Sequence, residues 1–245
     1  MERVLEEIQT EYADIKQARA LMVQSDFSRA SEIYSQILAE MSAKEAEDSL
    51  KMCAVYLEYS KCLFLSNDKL VLNPEIEEDN EYLEDLGIAW EVLEIAKNTF
   101  RKSQFTEELI KVHILLSDIA QETNNFESAL EDLTEAHALL KGKSTDDSRL
   151  PDISFRIAIA HEELGNTEKA IEMLEQLLEI LGKSSSIEGT AEIMEEVREK
   201  IDRIRNPEKY KLSLTKVQKV VEKDQPVQKI KLGKSGKAPS DKQEE

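Results

Sequence analysis

Apolar residues recur along most of the chain at intervals of three and four with charged residues between them, the pattern of amphipathic helices and not of strands. The pattern also repeats on a larger scale. Ala30-x-x-x-Tyr34, Ala89-x-x-x-Leu93, Ala129-x-x-x-Leu133 and Ala170-x-x-x-Leu174 each set an alanine one helical turn before a large side chain. Twelve residues before three of these alanines stand Ala18, Ser117 and Ala158, small residues that suit a crossing too close to admit bulk. Ser25-Asp26-Phe27, Asn124-Asn125-Phe126 and Gly165-Asn166-Thr167 lie just ahead of the same alanines and supply turn and capping chemistry. One such alanine means nothing, because any amphipathic helix produces it. Four in register predict four helix-turn-helix units.

This arrangement resembles the tetratricopeptide repeat (TPR), and it implies an all-α superhelix over residues 1–205. Spacings of 40 and 41 between the last three marker alanines exceed the usual 34 residues of that repeat and imply longer helices or loops, including 141–148. The second unit is irregular. Its first helix, about 46–65 with Ser60 at the crossing, should meet Ala89 twelve residues on, yet lies 29 away. The extra residues fall in 66–85 and include Glu75, Glu77, Glu78, Asp79, Glu81, Glu84 and Asp85, with no basic residue after Lys69. Such a run repels itself and is expected to stay solvated or loosely helical.

Beyond the fourth unit, Ser184-Ser185-Ser186 can cap a helix from Ile187 to about Arg205, with Ile193, Val197, Ile201 and Ile204 in one apolar stripe. A terminal helix of this kind is expected to cover the open end of the array. The stripe could equally cover a second copy, so a homodimer stays open. Asn206-Pro207 then breaks the helix, and 206–245, a Lys-rich stretch with Pro226 and Pro239, has too little apolar content to fold alone.

Composition agrees with helices: of 245 residues only 7 are Gly and 5 Pro, and 5% are aromatic. Charge adds something new. The net −19 is uneven, because 206–245 holds ten lysines against six acids, a net +4, which leaves −23 on residues 1–205. A surface that negative repels nucleic acid and membrane headgroups and attracts basic proteins, although acidity also serves plain solubility. Cys53 and Cys62 have no CxxC spacing and sit among apolar neighbours, as buried thiols of a reducing compartment do. Neither a signal peptide nor a run of 18 apolar residues is visible, so an intracellular protein is expected.

Catalytic chemistry finds no support. His113, His137 and His161 fall on three different predicted helices, none paired with Cys or another His at ligand spacing, and no Gly-rich phosphate loop or nucleophile elbow occurs. No metal, cofactor or enzymatic activity is therefore expected. A TPR stack instead presents a groove lined by the first helix of each unit, suited to an extended or helical peptide. Counted from the small crossing residue, the groove-facing positions lie six and three before it and one, four and five after it. In the third unit these are Lys111, Ile114, Asp118, Gln121 and Glu122; in the fourth, Asp152, Phe155, Ile159, Glu162 and Glu163. The count predicts an acidic groove with an apolar floor, which fits a helix carrying Arg or Lys beside an aliphatic residue.

The interrupted second unit, followed by Gly87-Ile-Ala-Trp-Glu-Val-Leu-Glu-Ile-Ala-Lys97 and preceded by Ala54-Val-Tyr-Leu-Glu-Tyr-Ser-Lys-Cys-Leu63, resembles the interrupted-TPR histone chaperones, the nuclear autoantigenic sperm protein (NASP) family. The Ala-Trp-Glu-x-Leu-x-x-Ala core at 89–96 is its most specific part. The resemblance implies a nuclear chaperone that escorts histones three and four, chiefly histone three, for nucleosome assembly. The groove would take a histone helix and the acidic interruption would add charge contacts. Asp118, Glu122, Asp152 and Phe155 fall where the family places its acidic and aromatic contacts. Two departures stand out: the insert is short, with seven acids, and the aromatic is Phe155 where Tyr is common. Lys209, Lys211, Lys216, Lys219, Lys223, Lys229, Lys231, Lys234 and Lys237 could serve nuclear import, although they are dispersed instead of clustered.

Two other readings compete. A co-chaperone that clamps the acidic C-terminus of a heat-shock protein resembles a set of Lys, Asn, Asn, Lys and Arg at fixed groove positions; here they read Ile15, Arg19, Glu58, Lys111 and Leu115, and only Lys111 fits. The other is an adaptor for a different basic partner.

Overall fold

A computed structural model describes residues 1–66, 80–144, 147–183 and 189–210, without the side chains of 80 and 81. Among the described residues the structure is all α-helical, with ten helices: α1 (Glu2–Glu11), α2 (Ile15–Val23), α3 (Phe27–Met41), α4 (Leu50–Ser66), α5 (Asn80–Lys102), α6 (Thr106–Glu122), α7 (Phe126–Lys143), α8 (Leu150–Glu163), α9 (Thr167–Lys183) and α10 (Thr190–Arg205). Two compact units, Met1–Arg198 and Glu199–Glu245, divide the chain.

In the first unit, α2 packs on α3, α4 on α5, α6 on α7 and α8 on α9, which gives the four expected pairs, and each pair also packs on the next. The crossings are made by the residues singled out in the sequence. Ala18 and Ala30, Ser60 and Ala89, Ser117 and Ala129, and Ala158 and Ala170 are all fully or almost fully buried. Ser60 Oγ donates to the carbonyl oxygen of Ala89 at 3.3 Å, so the interrupted pair closes across 29 residues. A larger side chain at any of these points would hold the helices apart.

The turns between helices share one design. Ser25, Gln104, Asn124 and Gly165 occupy the left-handed region, with φ of 59°, 58°, 55° and 74°. After each, the next backbone N–H reaches back five residues to the preceding helix: Asp26 to Leu21, Phe105 to Phe100, Asn125 to Ala120 and Asn166 to His161. These are Schellman-type ends, which satisfy carbonyls the helix leaves open. Asp26 and Asn125 then cap α3 and α7 by accepting from the backbone N–H of Arg29 and Ser128. Only one of the four left-handed residues is glycine.

Some boundaries differ from expectation. The N-terminal helical pattern is broken at 12–14 into α1, which packs on α4, and α2. Of the predicted acidic interruption, Ser66 ends α4 and 80–85 form the first turns of α5, with Glu84 exposed; Glu75, Glu77, Glu78 and Asp79 lie outside the described residues, as does the side chain of Glu81. The terminal helix begins at Thr190, and Ile187 lies outside the described residues. Val197 and Ile201 of the expected stripe are buried, while Ile193 is 38% exposed. In the second unit, helical backbone resumes at 207–210 after Asn206, and Lys209 and Tyr210 both bond Asp202. The remaining tail lysines, from Lys211 on, lie outside the described residues.

Two ion-pair clusters tie the first unit together. Lys51 on α4 reaches Glu11 of α1 at 3.0 Å and Glu45 of the α3–α4 connection at 3.3 Å. Glu107 at the start of α6 receives Lys143 at 2.5 Å and Arg149 at 2.6 Å, and Arg149 also binds Asp147, which fastens the α7–α8 connection. No helix among the described residues is long and apolar enough to cross a membrane.

Candidate functional site

A groove of about 880 Å³ runs along the first helices of repeats one to three. Its floor is apolar: Leu5 of α1, Met22 and Val23 of α2, Phe27 at the start of α3, Leu57, Phe64 and Leu65 of α4, and Ile114 of α6. The register that selected groove residues in repeats three and four, applied to Ser60, gives Ala54, Leu57, Lys61, Phe64 and Leu65, and all five line this groove. Applied to Ala18 it gives Arg19, Met22 and Val23, which line it as well, and Tyr12 and Ile15, which are buried in the core. The signal for most of this groove was therefore in the sequence, at positions that carry no acid. Val23 is 88% exposed, unusual for so apolar a side chain.

The charges of the groove are mostly committed to one another. Arg19 grips Glu58 with Nε at 2.9 Å and Nη2 at 2.5 Å, while the Tyr34 hydroxyl donates to the same carboxylate at 2.5 Å. Burial, reinforced by the Glu58 charge, holds the Tyr34 phenol well above its ordinary pKa, so it remains a donor. Asp118, on α6, is bound through Oδ1 by Arg156 of α8, which also donates to Ser117 Oγ at 2.9 Å. Burial pushes the Asp118 carboxyl up, Arg156 pulls it down, and the nearby Asp152 charge pushes it up again. Arg149 is held by Glu107 and Asp147. Lys61 and Lys111 are exposed and make no ion pair among the described residues; with Glu108 they complete the charged lining, four cations against three carboxylates. On a body of −23 this stretch is close to neutral.

The predicted site residues therefore divide. Asp118 lines this groove and is brought near Asp152. Glu122, Asp152, Phe155, Ile159 and Glu162 lie outside it, on the end of α6 and the inner face of α8. There Glu122 and Asp152 are exposed, Phe155 is 37% exposed, and Ile159 and Glu162 are half-buried. Exposed carboxylates thus occur on α6 and α8 and an exposed aromatic on α8, while the floor of repeats one to three is apolar with two lysines unpaired among the described residues. Arg156 was missed because only tertiary packing sets its guanidinium against Asp118. Trp90, inside the most specific sequence motif, is 50% exposed on α5.

The histidines and cysteines have structural surroundings. His113 is buried, with Nδ1 at 2.7 Å from Asp132 and Nε2 at 3.4 Å from Arg101. His137 sits 3.2 Å from Ser154 Oγ, and burial depresses its pKa, as it does that of His161. Burial pushes the Cys53 thiol up and the Cys62 thiol up to about 12, the opposite of what a nucleophile needs. Among the described residues no group of three or more His, Cys, Asp or Glu could hold a metal ion.

Residues 151–180, within α8 and α9, match the tetratricopeptide repeat family. Among solved structures the chain is similar to a protein of Podosopora anserina described as a kinesin light chain with nearly identical TPR-like repeats, at 16% identity and a TM-score of 0.63 over 87% of this chain and 96% of that one. It is also similar to BtubC (BKLC) from P. vanneervenii, at 13% identity and a TM-score of 0.55 over 99% and 94%. At these identities the likeness establishes the fold, a TPR-type solenoid. No curated protein matches the chain. Solenoids of this kind serve as binding surfaces for other proteins, a protein-interaction or adaptor role.

Proposed function

We propose that this protein is a nuclear histone chaperone that holds histones three and four, chiefly through histone three, along the inner face of its repeats and escorts them for nucleosome assembly. What supports the reading is that α8 carries the exposed Asp152 and Phe155, that Asp152 lies near Asp118 of α6, and that α6 ends on the exposed Glu122. That surface suits an arginine-bearing helix, because a guanidinium can pair with a carboxylate while its plane and stem lie on an aromatic ring. Asp118 contributes from beside Arg156, which occupies its Oδ1. The charge of −23 on residues 1–205 supports the reading by raising encounter rates with a basic cargo. So does the interrupted second repeat, with Ser60 set against Ala89 across the acidic insertion, on which the family resemblance rests.

The test is gel filtration of the recombinant protein with histones three and four at moderate salt. Co-elution is expected, weakening as salt rises. Failure to co-elute, or equal binding of an unrelated basic protein, would remove the histone assignment and leave an adaptor for another partner. The heat-shock clamp reading is disfavoured on geometry, since Arg19 is committed to Glu58 and one clamp position is itself that carboxylate.

A further inference from the structure

We infer that the groove takes a dipolar amphipathic helix, with its apolar stripe on the floor of repeats one to three, an acidic end at Lys61 and Lys111, and a basic end at Glu122 and Asp152. This deepens the proposed function and rests on it in one respect, that the α6–α8 face receives basic side chains.

Three observations carry it. The first is the floor itself. Val23, Leu57, Phe64 and Ile114 offer apolar surface without competing polar groups, and Val23 at 88% exposure leaves much of that surface to be covered. Covering it is the main source of affinity available. The second is backbone accounting. The walls are α-helices, whose N–H and C=O groups are already used, so an extended strand laid on this floor would leave its own backbone groups unpaired against apolar side chains. A helix satisfies its backbone internally and presents a single apolar stripe.

The third observation is charge. Arg19 with Glu58, Arg149 with Glu107 and Asp147, and Asp118 with Arg156 are mutually neutralised. Lys61 and Lys111 remain, opposed in the lining only by Glu108. A uniformly basic helix would set its own cations against these two lysines, at a cost comparable to what it gains on α8. A helix whose sign changes along its length meets complementary charge at both ends. Packed helices lie about 8–10 Å apart, so the path from α4 over α6 to α8 is about 20 Å, or about 13 residues of helix.

The experiment uses the full chain and three fluorescein-labelled synthetic helices of equal length that share one leucine stripe. One carries Glu in one half and Arg in the other, one carries only Arg, and one only Glu; binding is read by fluorescence anisotropy. The dipolar peptide is expected to bind about tenfold tighter than either uniform one. Lys61→Glu with Lys111→Glu should transfer the preference to the all-Arg peptide, and Val23→Asp should weaken all three. Circular dichroism checks that these exposed substitutions leave helicity intact. Equal binding of the dipolar and all-Arg peptides, an unchanged ranking in the double variant, or no binding by any of the three overturns the inference. Histone co-elution reports separately. If the peptide ranking holds and histones fail to co-elute, the histone reading falls and the groove assignment stands; co-elution with a flat ranking has the opposite meaning.

Discussion

The inner faces of the first two repeats and of the last two are built on one register yet carry different chemistry. Around Ala18 and Ser60 that register places Met22, Val23, Leu57, Phe64 and Leu65, and its charges are a closed Arg19–Glu58 pair and a free Lys61. Around Ser117 and Ala158 it places Asp118, Glu122, Asp152 and Phe155, and only Asp118 is neutralised from within. The scaffold thus fixes where a side chain points and leaves free what it is. One end of the inner surface therefore offers apolar area, the other exposed carboxylates and one aromatic ring.

The largest expected effect separates these ends. Glu122→Lys with Asp152→Lys should weaken the complex with histones three and four about a hundredfold, about 2.7 kcal/mol, with unchanged far-ultraviolet circular dichroism. An affinity within twofold of the parent would place the basic cargo elsewhere. Asp118 is left out of this pair, because a lysine there would meet Arg156 and break the Arg156–Asp118 bridge between α6 and α8 as well as affecting binding.

The closed pair of the apolar end is expected to matter for folding instead. Glu58→Ala would leave Arg19 and the Tyr34 hydroxyl without their shared acceptor, both in a partly buried setting, and should cost about 2 kcal/mol of stability in urea unfolding. A loss below about 0.5 kcal/mol would show that water replaces Glu58 there and that the pair is an ordinary surface contact.

Acid should act where α6 is fastened to the α7–α8 connection. Arg149 and Lys143 hold the Glu107 carboxyl down to about 2, below its ordinary 4.5. A depressed folded value means that the stabilisation is present above pH 4.5 and is lost as pH falls from there toward 2. The urea midpoint should therefore drop between pH 5 and pH 3, and Glu107→Gln should shrink that drop. An equal drop in the variant would assign the acid sensitivity to other carboxylates.

The smallest effect concerns a turn that both halves share. Gln104 holds φ of 58°, a conformation costly for a side-chain-bearing residue, at the junction of α5 and α6. Gln104→Gly should raise stability by about 0.5 kcal/mol, net of the extra freedom glycine adds to the unfolded chain. A loss would mean that the Gln104 side chain contributes more than its strain.

Much of the fold was legible in advance because it depends on local periodicity and on small residues at fixed spacing. Ala18, Ala30, Ser60, Ala89, Ser117, Ala129, Ala158 and Ala170 were all found by counting, and all are buried. The break between α1 and α2 was not legible, since Tyr12-Ala-Asp14 contains neither Gly nor Pro and the apolar spacing runs through it. In the candidate site, Asp118, Glu122, Asp152 and Phe155 are legible as acids and an aromatic in the register counted from Ser117 and Ala158, and of the four only Asp118 lines the groove. The apolar half was overlooked although the same register names it, because leucines and phenylalanines on a helix look like core until the structure shows them lining a groove.

What the sequence determined by itself is the helical repeat and its interruption, since both follow from periods of 3.6 and twelve residues along one chain. The register of inner-face positions holds for repeat two but in repeat one also names Tyr12 and Ile15, which are buried. The partners of the inner-face side chains were decided only by tertiary packing. Arg19 and Glu58 are 39 residues apart, and Arg156 and Asp118 are 38 apart. Whether a groove carboxylate is free or already answered depends on which neighbouring helix sets a guanidinium beside it. A one-dimensional pattern orders the residues on each face without specifying that distance.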